Sequence, residues 1–109
     1  MSKMEIVNDA GFNSRTASGA VLVEFSSPTC APCRQIEPVL ERMADEFKGK
    51  VQFLKVNVND SPQTTARFRI RSVPTMLFMI NGSVTGQLVG AVSFQAIQEK
   101  LSGLTGDST

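Results

Sequence analysis

The sequence predicts a single mixed α/β domain, in which parallel strands and an antiparallel hairpin form a central sheet flanked by helices. Strongly apolar runs, typical of strands covered on both faces, alternate with segments whose apolar residues recur every three or four positions. Asn81-Gly82, a typical hairpin turn, joins the last two strand-like runs. A length of 109 residues suits one domain with one core. We expect that core over residues 4–104 and a flexible tail over residues 105–109.

The predicted elements follow the order β-α-β-α-β-α-β-β-α. Strands are expected over residues 4–7, 20–26, 51–58, 74–80 and 83–89, and helices over residues 9–16, 32–48, 62–68 and 94–104. The second helix contains Pro38, which should remove one hydrogen bond and kink the helix. We expect Ser93 to cap the last helix, with Phe94, Ile97 and Leu101 facing the core.

Composition and charge exclude several classes of function. Lys and Arg total 11 against 10 Asp and Glu, and this net charge of +1 argues against a nucleic-acid partner. Apolar runs stay well short of the roughly 18–20 residues that span a bilayer, so no membrane role is expected. The amino-terminal residues lack the apolar segment of a signal peptide, which predicts a cytoplasmic protein. The chain contains no His, which excludes catalysis by imidazole and metal sites with His ligands.

The two cysteines of the chain, Cys30 and Cys33, lie two residues apart in the segment "TCAPCR". A predicted buried strand ends just before them and a predicted helix begins with them. The free N–H groups and the dipole of a helix amino terminus stabilise a thiolate, which is the reactive form of cysteine. We expect Cys30 to be the exposed nucleophile and Cys33, nearer the core, to be the resolving thiol of a disulfide exchange.

Two structural roles for the pair remain open alternatives. A structural disulfide would close a loop too short to constrain the unfolded chain much, and structural disulfides are uncommon in the cytosol. A structural zinc site needs four ligands, so two cysteines would supply half of a site shared between two chains. A C-x-x-C motif beside a β-α-β pattern favours redox chemistry over both.

Several further segments, in register with the cysteines, make the chain resemble the thioredoxin family over residues 4–104. They are "VLVEF" before "CAPC", Pro38 in the following helix, "KVNV", "IRSVPT", "NG" and "VGA". The resemblance implies a thioredoxin fold and a monomer that reduces disulfides in target proteins. It also implies re-reduction by a flavin-containing, NADPH-dependent thioredoxin reductase. The redox-active disulfide Cys30–Cys33 would then be the working group, with no bound cofactor and no metal.

The resemblance also implies roles for residues around the disulfide. Pro32 matches the proline that tunes the reactivity of the two cysteines. Val73 and Pro74 match a loop with a cis peptide bond that faces the disulfide and pairs with the substrate backbone. Gly90 and Ala91 match the backbone that completes the substrate groove, where Gly90 would allow close approach.

Glu24 interrupts a strand that is otherwise apolar on both faces, and an unpaired buried carboxylate is energetically costly. The family usually has Asp at this position, as proton acceptor and donor for the resolving cysteine. Glu24 would take this role with its pKa raised by desolvation, and Lys55 would pair with it across neighbouring strands. The alternative is that both are partly solvated charges at strand ends.

The active-site segment departs from the family pattern W-C-G-P-C. Thr29 replaces the tryptophan before Cys30, Ala31 replaces the glycine, and Ser26 stands where the family has a second tryptophan. Thr29 and Ala31 lie where partners are expected to bind, so these changes predict altered target choice and a shifted reduction potential. A disulfide oxidant or isomerase, and a binding scaffold without redox function, are therefore alternatives to a reductase.

Overall fold

The computed structural model describes residues 4–106 and confirms the predicted order of elements. In chain order the elements are β1 (Glu5–Ile6), α1 (Phe12–Thr16), β2 (Ala20–Ser26), α2 (Ala31–Glu46), β3 (Val51–Asn57), α3 (Pro62–Arg67), β4 (Thr75–Ile80), β5 (Ser83–Val89) and α4 (Phe94–Thr105). The strands form one sheet in the order β1-β3-β2-β4-β5. β1 and β2 run parallel to β3, while β4 is antiparallel to both β2 and β5. The predicted mixed sheet is therefore confirmed.

The alternation of side chains along β2 divides the core between the two faces of the sheet. Leu22 lies in one apolar cluster with Ile36 and Leu40 of α2 and with Ile97 of α4. Residues on either side of Leu22 point the other way, into a second cluster with Phe12 of α1. By the same alternation, the side chains two and four residues after Leu22 face α2, which places Glu24 and Ser26 on the side of the sheet that carries the cysteines.

The last helix differs from the prediction at its first residue. Ile97 and Leu101 are buried, as expected, but Phe94 is 47% exposed. Helical spacing places Phe94, three residues before Ile97, on the buried face of α4, so its exposure goes with its place as the first residue of the helix and not with the face it occupies. Phe94 directly follows Ser93, which caps the amino terminus of the helix as predicted. The Ser93 hydroxyl accepts a hydrogen bond from the N–H of Ala96.

The ends of the first and last helices also differ from the prediction. α1 begins at Phe12 and not at Asp9, because residues 9–11 form a turn in which the N–H groups of Gly11 and Phe12 both donate to the carbonyl oxygen of Asn8. α4 includes Thr105, which was assigned to the tail, and ends at Gly106 with a φ of 78°. The rest of the predicted tail, residues 107–109, lies outside the described residues. Within residues 4–106, no helix is long and apolar enough to cross a membrane.

Candidate active site

The two cysteines form a disulfide at the start of α2. Cys30 is the N-cap residue of the helix, and its sulfur accepts a hydrogen bond from the backbone N–H of Cys33 over 3.1 Å. The side chains differ in access, since Cys30 is 7% exposed and Cys33 only 1%. Cys30 is thus less exposed than predicted, because the sulfur is turned into the first helical turn, but it remains the more accessible of the two.

The segment around the disulfide is fixed by local hydrogen bonds and by proline. Pro32, in the first turn of α2, lacks an N–H group that would have no partner in the helix, and its fixed φ suits this position. The Arg34 guanidinium donates a hydrogen bond of 2.6 Å to the carbonyl oxygen of Pro28 and so ties the helix start to the preceding loop. Thr29, Ala31 and Pro32 are exposed around the disulfide, which leaves their side chains accessible to a partner.

The segments predicted to form the substrate groove lie together in part. The peptide bond between Val73 and Pro74 is cis, as the resemblance implied. The N–H of Gly90 donates a hydrogen bond of 2.8 Å to the carbonyl oxygen of Pro74, and Ala91 follows as an exposed residue. Thr29 and Val73 line the same surface depression of about 230 Å³.

The backbone conformation at Gly90 favours glycine, apart from any close approach by a substrate. Its φ is 93°, a left-handed conformation that other residues rarely adopt. A Cβ atom built there would meet no described atom within 4 Å. The backbone conformation, and not crowding, therefore favours glycine at this position.

Glu24 is fully buried beneath the disulfide, with 0% exposure. Among the described residues, neither of its carboxyl oxygens accepts a hydrogen bond from a donor. Burial, followed by the neighbouring Glu37 carboxylate, raises the pKa of Glu24 to about 9, as predicted in direction. The alternative of a partly solvated charge is wrong for Glu24, which carries a proton at neutral pH.

Lys55 does not form the predicted ion pair with Glu24. The strand register places Lys55 directly beside Glu24, but its Nζ atom lies 2.9 Å from Oε1 of Glu37 on α2. The Ser26 hydroxyl donates a hydrogen bond of 2.9 Å to the other oxygen of Glu37. Desolvation acts to raise the pKa of Glu37, but hydrogen bonds from Glu24, Lys55 and Ser26 outweigh it and lower that pKa.

Glu37 is the site residue that sequence reasoning missed. It lies four residues after Cys33, and residues at this spacing share one face of a helix. Because Cys33 was already expected to face the core, the same spacing could have indicated that Glu37 reaches the space beneath the disulfide.

The atoms of Glu24, Cys33 and Glu37 that carry the chemistry all lie within 4.8 Å of one another. In the oxidised protein the Cys33 sulfur is bonded to Cys30, so the cluster offers a cation two carboxylates and not the four ligands of a structural zinc site. Two carboxyl groups of unequal proton affinity beside a sulfur atom are instead suited to proton transfer.

A disulfide at a helix start, a cis proline loop and a buried acid together define the site, and the family model described as Thioredoxin matches residues 3–103. The chain belongs to the thioredoxin family. It is similar to a thioredoxin of Haemophilus influenzae, with 44% identity over 94 residues, 84% of this chain and 88% of that protein. It is 39% identical to a thioredoxin of Staphylococcus aureus over 84 residues, 77% of this chain and 81% of that protein.

A further relative is the chloroplastic thioredoxin M-type of Pisum sativum, which is 36% identical over 103 residues. That match covers 93% of this chain but 60% of the plant protein. Membership of the family, together with the Cys30–Cys33 disulfide, establishes a thiol-disulfide oxidoreductase with protein-disulfide reductase activity.

Proposed function

We propose that this protein reduces target proteins with Cys30 as nucleophile and Cys33 as resolving thiol, and that it acts as a cytoplasmic monomer. A thioredoxin reductase that carries flavin and uses NADPH would return the oxidised pair to dithiol. The order of exposure of the two sulfurs carries the assignment, because an incoming disulfide can reach Cys30 but not Cys33.

The reaction proceeds in two exchange steps. The Cys30 thiolate attacks a sulfur of the target disulfide, so that one S–S bond breaks, a mixed disulfide forms and the other target sulfur leaves as a thiolate. Cys33 then loses its proton and attacks the Cys30 sulfur, which releases the second target thiolate and closes the Cys30–Cys33 disulfide. The helix start assists the first step, since the Cys33 N–H that donates to the Cys30 sulfur also favours a thiolate there.

The segments beside the disulfide supply the binding surface in this proposal. Val73, Pro74, Gly90 and Ala91 would line the surface that receives an extended target segment, with Gly90 held to Pro74 by its own backbone hydrogen bond. Thr29 would set target choice, because it lines the same depression as Val73. Without the family's tryptophan at this position, we expect a narrower range of targets.

The roles of the two cysteines are tested by trapping. A Cys33→Ser variant should stall at the mixed disulfide when mixed with a disulfide-containing protein such as insulin. We expect an adduct in non-reducing mass spectra that dithiothreitol cleaves, and an almost complete loss of turnover, because no thiol remains to resolve the mixed disulfide. The matched Cys30→Ser variant should form no adduct.

Two outcomes would contradict the assignment. An adduct on Cys30→Ser but not on Cys33→Ser would exchange the roles of the two sulfurs. Full cellular function of the double serine variant would instead favour a binding scaffold. The reduction potential decides the direction of electron flow, and a pair more oxidising than the cytosolic glutathione pool would revive the oxidant or isomerase alternative.

A further inference from the structure

Four polar side chains converge on the inner side of the disulfide. Glu24 comes from β2 and Glu37 from α2, and we call these two residues the acid pair. Ser26, two residues after Glu24, and Lys55, on the neighbouring strand, both bond to Glu37. Oxygen atoms of the acid pair lie within 4.8 Å of each other and of the Cys33 sulfur.

The two members of the acid pair are held in different protonation states, Glu37 as an anion and Glu24 as a neutral acid. Glu37 receives a hydroxyl donor and an ammonium group, one on each carboxyl oxygen, and these stabilise its anion. Glu24 has no such donor in the described part of the chain and is completely buried, which disfavours its anion. Two carboxylates at this distance repel each other when both are ionised, so the pair retains one proton, and that proton resides on Glu24.

The other groups around Glu24 do not change this assignment. Glu41, also on α2, adds negative charge and raises the pKa of Glu24, whereas Lys55 on β3 lowers it. On β4 the residue paired with Glu24 is Met76, which is apolar and buried.

We propose that Glu37 is a positioning residue for disulfide exchange: its fixed carboxylate accepts a hydrogen bond from protonated Glu24 and thereby keeps a transferable proton beside Cys33. This role rests on the proposed function of the two cysteines. It concerns a residue that lies outside the sequence motifs of the site.

The proton is used when the disulfide opens. An external thiolate attacks the Cys30 sulfur, a new S–S bond forms between them, and the electron pair of the broken bond stays on Cys33. Glu24 gives its proton to this leaving sulfur and becomes a carboxylate. In the oxidative half of the cycle Cys33 returns the proton to Glu24 as it attacks the mixed disulfide, so that protons and electrons balance.

Glu37 also links Glu24 to solvent. Glu24 is inaccessible to water, but the Glu37 side chain is 21% exposed and that of Lys55 is 30% exposed. Ser26 and Lys55 line a surface depression of about 260 Å³. Protons can therefore exchange between Glu24 and water by way of Glu37, which allows Glu24 to titrate although it is buried.

A Glu37→Gln variant tests the proposal directly. It removes a negative charge from beside Glu24 and releases Lys55 from its partner, and both changes favour the Glu24 anion. In the oxidised protein, the ¹³C carboxyl signal of Glu24 should titrate near 9 in wild type and toward the ordinary glutamate range in the variant. Glu46→Gln, an exposed substitution on the same helix, should leave that titration unchanged.

The kinetic readout is the reduction of the oxidised protein by dithiothreitol, quenched by alkylation and counted by mass. The second-order constant, expressed per dithiothreitol thiolate, should fall in wild type as pH rises through about 9. At pH 8, wild-type Glu24 is roughly nine-tenths protonated, whereas in Glu37→Gln its pKa is lowered and a smaller fraction carries the proton, although burial still raises that pKa. We therefore expect the rate constant at pH 8 to fall in Glu37→Gln by the ratio of the two protonated fractions that the ¹³C titration gives, and not to fall in Glu46→Gln.

The direction in which the pH profile of reduction moves distinguishes a positioning role of Glu37 from a merely structural one. Lys55→Gln removes the group that lowers the pKa of Glu24, so its pH profile should move to higher pH, opposite to that of Glu37→Gln. If the titration of Glu24 and the pH profile are the same in Glu37→Gln and in wild type, the inference is wrong, although the proposed function stands. If wild-type protein forms no adducts through Cys30 and reduces no protein disulfide, the proposed function itself fails.

Discussion

Glu24 retains its proton because it is fully buried and because the described residues around it offer no donor to its carboxylate. Its burial could be predicted, since it interrupts an apolar strand that pairs on both sides. The partner of Lys55 could not be predicted, because the resemblance implies that Lys55 lies beside Glu24 but does not indicate that a third residue, Glu37, accepts its hydrogen bond. The length of a lysine side chain allows either partner, and only the placement of α2 over the sheet decides between them.

The buried Glu24 should make the protein less stable as pH rises. Its pKa is about 9 in the folded protein and near 4.5 when exposed, so the folded state binds the extra proton between these values. The free energy of unfolding should therefore fall from about pH 5 to pH 9, by at most about 1.4 kcal/mol per unit. In Glu24→Gln, which cannot ionise, urea unfolding of the oxidised protein should show a much flatter dependence and a more stable protein at pH 8.

The exposed Glu46→Gln variant is the control for this measurement and should retain the wild-type slope. Glu37 has the opposite effect on the free energy of unfolding, and at lower pH. Because its pKa is lowered in the folded protein, it stabilises the fold at higher pH, and this contribution is lost as pH falls through the folded pKa. A wild-type slope in Glu24→Gln between pH 5 and pH 9 would show that Glu24 is ionised in the folded protein.

At the scale of elements, local sequence patterns correctly predicted the strands and the turn whose structure depends on neighbouring residues alone. The apolar run of β2 and the strand after the hairpin turn have the bounds that were predicted, Ala20–Ser26 and Ser83–Val89. The turn residues Asn81 and Gly82 have φ angles of 50° and 84°, as a two-residue hairpin requires. The prediction for Phe94 was wrong because its apolar character indicated burial, whereas its position as the first residue of α4 leaves nearly half of the side chain exposed.

The two glycines Gly82 and Gly103 should respond in opposite ways to alanine. Gly82 has a left-handed φ, and a Cβ atom there would make only ordinary contacts at 3.9 Å, so Gly82→Ala should cost about 1–2 kcal/mol from backbone strain alone. Gly103 lies within α4, where a Cβ atom would meet nothing described within 4 Å. Gly103→Ala should therefore stabilise the protein by about 0.5–1 kcal/mol, and urea unfolding measures both changes. Equal effects of the same sign would show that the turn conformation does not determine the cost.

At the scale of the whole molecule, contacts between distant parts of the chain could not be predicted from local sequence patterns. The start of α3 was predicted from the segment that contains Ser61 and Pro62, yet the Ser61 side chain makes no capping hydrogen bond. Asp9 performs this function from the loop after β1. It accepts hydrogen bonds from the N–H groups of Gln63 and Thr64 and from the Thr64 hydroxyl, at 3.1, 2.8 and 2.7 Å.

Asp9 and Thr64 are separated by 55 residues, so no local pattern connects them. The contact depends on the sheet order, which brings β1 alongside β3 and thus places the loop after β1 near the start of α3. The chain that leaves α3 continues to Val73 and Pro74. Asp9 therefore holds the start of the helix that precedes this loop.

The Asp9→Ala substitution should lower the urea midpoint of unfolding at pH 7, because it leaves the first N–H groups of α3 without their carboxylate acceptor. Partial desolvation acts to raise the pKa of Asp9, but its hydrogen bonds from Thr64 and Gln63 lower that pKa overall. A group with a lowered folded pKa contributes stability above its unfolded value, here 3.8, and loses this contribution as pH falls through the folded pKa. The difference in midpoint between Asp9→Ala and wild type should thus be smaller at pH 3 than at pH 7. The control is Asp60→Ala, which removes an exposed aspartate beside the same helix start and should change the midpoint little at either pH. An equal loss in the two variants would mean that negative charge near α3, and not the Asp9 hydrogen bonds, stabilises this end of the molecule.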